Sequence, residues 1–151
     1  MTPAERAARA VLEIIENGDH ERIRDLVTPD FVDHGAPQGL PPGPDGYLGV
    51  LRFLTDVLRL RYEVHDVIAV GDRVAIRATG HGVHNTDHLG VPATGRPYAM
   101  PTMHIYRAEG DRLAEHWAVR DEHSVLVQVG ALPAPRVPAE LTVQSSAGPL
   151  W

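Results

Sequence analysis

The stretch that decides the fold runs from Arg96 to Asp121 and reads RPYAMPTMHIYRAEGDRLAEHWAVRD. Polar and apolar side chains alternate on both sides of AEGD (108–111). This period of two, interrupted by a turn segment that contains glycine, is typical of two antiparallel strands joined in a hairpin. The sequence therefore predicts strands over about 96–107 and 112–121.

The register of this hairpin determines which side chains share a face, because opposed residues of neighbouring strands point to the same side. We expect Arg107 to pair with Arg112. With this pairing, one face of the hairpin contains Tyr98, Met100, Thr102 and His104 from the first strand and Glu115, Trp117, Val119 and Asp121 from the second. Met103, Ile105, His116 and Arg120 then lie on the opposite face, and a β-bulge in the turn would exchange the two faces.

Upstream of the hairpin, two further strands are predicted over 61–70 and 73–83 by the same alternation, and helices precede them. The helices are predicted over about 3–17, 19–27 and 45–60, with Thr2 as the first N-cap, and a loop over 31–46. A last short helix follows over 122–129. Helices followed by an antiparallel meander indicate one α+β domain over 1–132, and 133–151 is predicted to be a Pro-rich tail that is disordered or docked on a partner subunit.

Composition excludes several classes of chemistry. The 151 residues contain no Cys, and all 14 basic residues are Arg. Without a Lys amine or a Cys thiol, Schiff-base, pyridoxal and thiol catalysis are excluded, as are disulfides and phosphate-binding loops that need Lys. Carboxylate, imidazole and phenol chemistry remain, with nine His and 20 acidic residues to supply it.

Charge and hydropathy indicate the environment of the chain. A net charge of −6 disfavours a nucleic-acid partner, since neutralising phosphates requires clustered basic residues. No apolar run approaches the length that spans a membrane, and the first residues do not resemble a signal peptide. We expect a cytoplasmic protein.

Asp121 is the first candidate for catalysis. A carboxylate at the end of an otherwise apolar, aromatic-lined strand face is unusual. It is interpreted either as the N-cap of the helix that begins near Glu122 or as a general acid/base whose pKa is raised by desolvation. His104 on the same face either binds a substrate oxygen or is a core histidine bonded to Glu115 or to the backbone.

Three other polar residues each have a structural and a functional interpretation. Asp33 and His34 form either a turn with a surface histidine or part of the substrate-binding site. Tyr47 is either an aromatic residue of the core or places its hydroxyl in a cavity. His81, His84 and His88 could suggest a metal site, but residues 81 and 84 of a strand point to opposite faces. We interpret these three as solvated loop histidines and expect no metal.

Four motifs in this order resemble the SnoaL-like polyketide cyclase family. They are FVDHGAP (31–37) followed by GPDG (43–46), then HNTDHLGVPATGR (84–96), HIYR (104–107) and EHWAVRD (115–121). The resemblance covers roughly residues 4–132. It implies an NTF2-like cone, in which a curved antiparallel sheet wraps around the N-terminal helices and encloses an apolar cavity.

The resemblance also implies a function. Characterised relatives close polyketide rings by an intramolecular aldol reaction without metal or cofactor, and the aspartate of the HW-x-x-x-D motif, here Asp121, acts as acid/base. Either His104 or Tyr47 would then polarise a carbonyl or epoxide oxygen of the substrate. The expected substrate-binding residues are Asp33, His34, Tyr47, Tyr98, Met100 and Trp117.

Three functions remain open from the sequence. The leading hypothesis is a cofactor-free cyclase of secondary metabolism, such as antibiotic biosynthesis, that acts on a hydrophobic polyketide-like molecule. An epoxide-opening cyclase or hydrolase and a non-catalytic small-molecule-binding module are the alternatives. We also expect a homodimer or homotetramer.

Overall fold

The computed structural model describes residues 1–142, and its elements follow the predicted order. The α-helices are α1 (Pro3–Asn17), α2 (Ile23–Leu26), α3 (Pro44–Arg52) and α4 (Glu122–Gln128). The strands are β1 (Val27–Asp33), β2 (Arg61–Val70), β3 (Arg73–Val83), β4 (Pro97–Glu109) and β5 (Arg112–Arg120). Short 3₁₀ turns at His20–Arg22 and Ala139–Leu141 and a π-helical turn at Phe53–Val57 complete them.

The five strands form one sheet in the order β1-β5-β4-β3-β2, and the helices pack against one side of it. Side chains of α1, led by Val11 and Ile14, pack with the inward residues Val74 and Ile76 of β3 and Leu113 of β5. This α+β cone is the fold that the resemblance implies, so the predicted fold class is confirmed. No helix within residues 1–142 is long and apolar enough to cross a membrane.

The sequence missed strand β1. Residues 27–33 are extended and pair in parallel with β5, with Asp33 beside His116, whereas we expected helix up to 27 and loop from 31. Pro29 lies in this strand, and proline is tolerated there because β1 is at the edge of the sheet. The sheet is therefore mixed and not purely antiparallel.

The hairpin register is also different from the prediction. Glu109 pairs with Arg112 across a two-residue turn, and a bulge between Arg107 and Ala108 shifts the rest of the ladder. Ile105, and not Thr102, therefore opposes Trp117. Because a shift by an odd number of residues exchanges the faces of one strand, the inward residues of β5 after the bulge change.

The predicted placement of four β5 residues was therefore wrong. The residues that point away from the helices are Glu115, Trp117, Val119 and Asp121. His116 and Arg120 point inward in their place, beside Thr102, His104 and Tyr106 of β4. The predicted inward orientation of Met100, Thr102 and His104 is confirmed.

Two glycines of α3 provide a stability test. A Cβ at Gly46 would clash with the carbonyl oxygen of Pro41, whereas a Cβ at Gly49 has nothing within 4 Å. Gly49→Ala should raise the free energy of unfolding by about 1 kcal/mol through helix propensity. Gly46→Ala should lower it by about 2 kcal/mol, because the loop must move. Urea denaturation measures both, and equal effects of the two substitutions would contradict this packing.

Candidate functional site

An apolar cavity of about 700 Å³ lies between α3, the π-helical turn and the sheet. Its walls are mostly aliphatic or aromatic, and its polar groups are few. The apolar wall is formed by Leu40, Val50, Phe53, Leu54, Leu58, Leu60, Leu89, Tyr98 and Met100. The polar side chains on its lining are His88, Arg120 and Glu122. This volume and composition are typical of a site for a small hydrophobic molecule.

The cavity narrows to a polar floor. A space of about 20 Å³ continues inward from Val50, Leu54 and Arg120, which line both regions. Its polar lining consists of Tyr47, Tyr62, His104, Tyr106, His116 and Arg120. Sequence reasoning missed Tyr62, Tyr106, His116 and Arg120, because the wrong register pointed two of them outward and nothing distinguished the tyrosines from core residues.

A chain of hydrogen bonds crosses this floor. Asp33 Oδ1 accepts from His116 Nδ1 at 2.8 Å and from the Gly35 N–H at 2.9 Å. His116 Nε2 lies 3.0 Å from His104 Nδ1, and His104 Nε2 lies 3.0 Å from Thr102 Oγ1. The Thr102 hydroxyl reaches the Ala78 carbonyl at 3.1 Å. Four side chains from β1, β4 and β5 are therefore held in one network.

The single proton of the Thr102 hydroxyl fixes the direction of this network. Because Thr102 donates to the Ala78 carbonyl, its oxygen accepts from His104 Nε2, and His104 Nδ1 then accepts from His116 Nε2. The network therefore runs in one direction, from His116 through His104 and Thr102 to the Ala78 carbonyl.

Electrostatics keep His104 neutral and Asp33 ionised. Desolvation, with the charges of His116 and Arg120, lowers the pKa of His104 to about 3. Burial alone would raise the pKa of Asp33, but the hydrogen bond and charge of His116 and the Gly35 N–H outweigh it, so this pKa is lowered. Asp33 Oδ2 is buried without a hydrogen-bond partner among residues 1–142. A buried carboxylate oxygen left free is costly and is typical of a group that takes a ligand proton or donor.

Three tyrosine hydroxyls complete the floor as protonated donors. The hydroxyls of Tyr47 and Tyr106 lie 2.7 Å apart, and desolvation raises the pKa of both. Desolvation also raises the pKa of Tyr62. The Arg120 guanidinium is close enough that its charge and hydrogen bonding oppose this rise of the Tyr62 pKa.

The predicted site residues divide into two groups. His104 and Tyr47 lie on the floor, and Met100 and Tyr98 line the cavity wall. Asp33 belongs to the network and lines a side chamber of about 140 Å³ that shares Ala36, Pro37, Leu40 and Val50 with the cavity.

His34 and Trp117 lie on the outer surface of the sheet, so their predicted place in the cavity was wrong. Their rings stack 4.9 Å apart, and His34 Nε2 lies 3.1 Å from Glu115 Oε1. The Arg73 guanidinium lies 5.3 Å from the centre of the Trp117 ring. Both residues therefore stabilise the outer ends of β1 and β5.

Asp121 is exposed and acts as the N-cap of α4, where Oδ1 accepts from the Ser124 N–H at 2.9 Å. It does not line the cavity or its floor; it borders a shallow depression with His65 and Arg77. The capping interpretation is confirmed. The catalytic role stays a prediction.

The three histidines considered for a metal are separate. His84 is buried and bonds Thr94 Oγ1 at 2.9 Å, while His81 pairs with Glu63 on the surface. His88 lines the cavity mouth beside Leu89, which adopts a positive φ of 50°.

The buried neutral His104 makes stability depend on pH. The unfolded chain binds a proton on this ring below about pH 6.5, whereas the folded chain does so only near pH 3. Stability should therefore fall on acidification between these values, and His104→Gln should remove up to about 1.4 kcal/mol per pH unit of that slope. Urea denaturation against pH measures the slope, and NMR of the ring nitrogens at pH 5 should show a neutral imidazole. A ring that titrates near its ordinary pKa would contradict this.

Comparisons with known proteins agree with one another. A family model described as SnoaL-like polyketide cyclase matches residues 5–129. IdmH from Streptomyces antibioticus is 32% identical, with 86% of this chain and 99% of that chain covered and a TM-score of 0.72. A SnoaL-like polyketide cyclase from Agrobacterium tumefaciens shares the fold at 20% identity and a TM-score of 0.74, over 86% and 100% of the two chains. Among curated proteins, none matches the chain.

Proposed function

The chain belongs to the SnoaL-like polyketide cyclase family, and on that premise we propose that it is a cofactor-free acid–base cyclase of secondary metabolism. The substrate is a hydrophobic polyketide-like molecule, because the cavity is large and its walls are mainly apolar. The observation that carries the proposal is the ionised Asp33, with one oxygen free, at the end of a buried imidazole network.

The reaction we propose is an intramolecular aldol closure. The Asp33 carboxylate, which lines the side chamber, removes a proton from the carbon next to a substrate carbonyl. The enolate carbon attacks a second carbonyl of the same molecule, and the protonated carboxyl returns the proton to the new alkoxide oxygen. His116 and His104 are positioning residues that hold the carboxylate and keep it ionised. The Tyr62 hydroxyl donates to the oxygen on which charge develops. The apolar walls exclude water and hold a conformer that can cyclise.

This assignment competes with the one predicted from the motif, in which Asp121 is the acid/base and His104 polarises a substrate oxygen. Both ring nitrogens of His104 already have partners, so that role requires one of these bonds to break. The Asp121 carboxylate is exposed and caps α4, whereas Asp33 is buried, is bonded to the imidazole network and lines a side chamber that adjoins the cavity. We therefore favour Asp33 as the base.

The two aspartates provide matched variants. The probe is 1-phenylhexane-1,5-dione, whose aldol condensation gives the conjugated 3-phenylcyclohex-2-enone and water, which can be followed by ultraviolet absorbance. Asp33→Asn should lower kcat by about 100-fold or more, as expected for loss of a general base. Asp121→Asn should retain activity within about threefold, because asparagine also serves as an N-cap.

The other outcomes are equally decisive. Loss of activity in Asp121→Asn alone, with folding intact by circular dichroism, would move the base to Asp121. Wild-type activity in both variants would reject acid–base catalysis by either. If the wild type binds the dione without turning it over, the binding-module alternative is favoured. If it instead opens styrene oxide with label from heavy-oxygen water in the diol, the epoxide alternative is favoured.

A second copy of the chain is the partner we propose for the outer face of the sheet. Trp117, Ile105, Ala75 and Ile68 oppose one another in register and form an apolar row across four strands. Ile105 is 45% and Ile68 63% exposed, and such a row on an open surface is typical of an interface. The docking role predicted for the C-terminal Pro149-Leu150-Trp151 lies outside the described residues.

Sedimentation equilibrium tests this interface. The wild type should sediment as a dimer or tetramer, and Ile105→Glu should reduce it toward the monomer, because a charge would be buried in the row. Val57→Glu, at a residue that is 41% exposed in the π-helical turn on the helix side of the sheet, should leave the mass unchanged. A monomeric wild type would reject the proposal.

A further inference from the structure

Arg120 brings a positive charge into an otherwise apolar cavity. Its side chain lines both the large cavity and the narrow floor. Its Nη1 donates to the Gly35 carbonyl at 3.2 Å. No carboxylate of these residues forms an ion pair with it, whereas Arg24, Arg77 and Arg107 each have one.

A half-buried guanidinium in such surroundings requires further acceptors. It carries five N–H donors, and the Gly35 carbonyl satisfies one. Removing a charge from water costs free energy unless an opposite charge or hydrogen bonds replace the water. Because the unused donors border the cavity, a molecule in the cavity is placed to supply that partner.

The charges that line the large cavity favour an anion at Arg120. Glu122 lines this cavity but not the floor, and it repels a negative end group toward Arg120. Asp33, whose pKa the charge of Arg120 helps to lower, does not line this cavity, and its Oδ1 is engaged by His116 and Gly35.

Tyr62 supports Arg120 at the same place. Its hydroxyl is buried on the floor, and the charge and hydrogen bonding of the Arg120 guanidinium oppose the rise of its pKa. A guanidinium matches a planar pair of oxygens in a forked geometry. Opposite this polar end, Val50 and Leu54 continue into the apolar cavity.

We propose that Arg120, assisted by Tyr62, is an anion receptor that selects substrates with a planar pair of anionic oxygens on an apolar body. A carboxylate and the enolate of a β-dicarbonyl both have this chemistry. The inference rests on the proposed function in taking this cavity as the substrate site. It does not depend on turnover, because the receptor acts in binding.

Binding of two isosteric probes tests the receptor. Calorimetric titration at pH 7.5 should show that the wild type binds 2-naphthoate at least tenfold more tightly than the neutral 2-acetonaphthone, because only the first has two anionic oxygens. Arg120→Met should weaken 2-naphthoate binding at least tenfold and leave 2-acetonaphthone binding unchanged. Retained binding of the neutral probe shows that the variant still has a folded cavity. Arg120→Lys, which keeps the charge without the fork, should fall between the two.

A third probe separates the two sources of the anion. Benzoylacetone should bind more tightly as pH rises through its own ionisation if the receptor takes enolates, and independently of pH if it takes carboxylates alone. Equal binding of the two naphthalene probes by the wild type, or an unchanged preference in Arg120→Met, would overturn the proposal. Either result would leave the assignment of Asp33 standing, since that is judged by turnover of the dione.

Discussion

A bulge on β5, in which Ala114 is the extra residue opposite Arg107 and Ala108, determines which side chains face the cavity. Strand side chains alternate, so this extra residue decides which set of β5 residues points toward the helices. It orients His116 and Arg120 inward and Trp117 and Asp121 outward. Without the bulge, Trp117 and Asp121 would point toward the helices in place of His116 and Arg120, and the imidazole network could not form.

The network in turn depends on the edge strand. Because β1 runs parallel to β5 with Asp33 beside His116, the carboxylate reaches the ring nitrogen at 2.8 Å. The backbone then turns at Gly35, whose N–H donates to Asp33 and whose carbonyl accepts from Arg120. A Cβ at Gly35 would lie 3.0 Å from that of Ala118, so this turn has little room for a larger residue. Gly35 therefore connects Asp33, the proposed base, to Arg120.

The sequence predicted those parts of the molecule that depend on local patterns. Thr2 caps α1 as expected, and β2, β3, β4 and β5 appear where the period of two placed them. The register failed because the difference between a four-residue and a two-residue turn depends on backbone hydrogen bonds that composition does not encode. The prediction missed strand β1 because Pro29 indicates the end of an element, although a strand at the edge of a sheet tolerates proline.

The same limitation affected the site. His104 and Tyr47 were identified because each is a polar residue in an apolar pattern, whereas His116 was assigned to the wrong face. Asp33 and His34 were both expected to bind substrate, but only the Asp33 carboxylate points inward. Alternation along β1 permits only one of two neighbours to reach the cavity, and pairing with His116 selects Asp33.

The proximity of Asp33 and Arg120 couples binding to basicity. The charge of Arg120 contributes to the lowered pKa of Asp33, which keeps the carboxylate ionised but makes it a weak base. Under the proposed function, a substrate oxygen that takes up the charge of Arg120 would remove part of that effect and raise the pKa of Asp33. The proposed base would then be strongest when the group to be deprotonated lies beside it, and an apolar wall that excludes water would enlarge the effect, since charges interact more strongly at low dielectric.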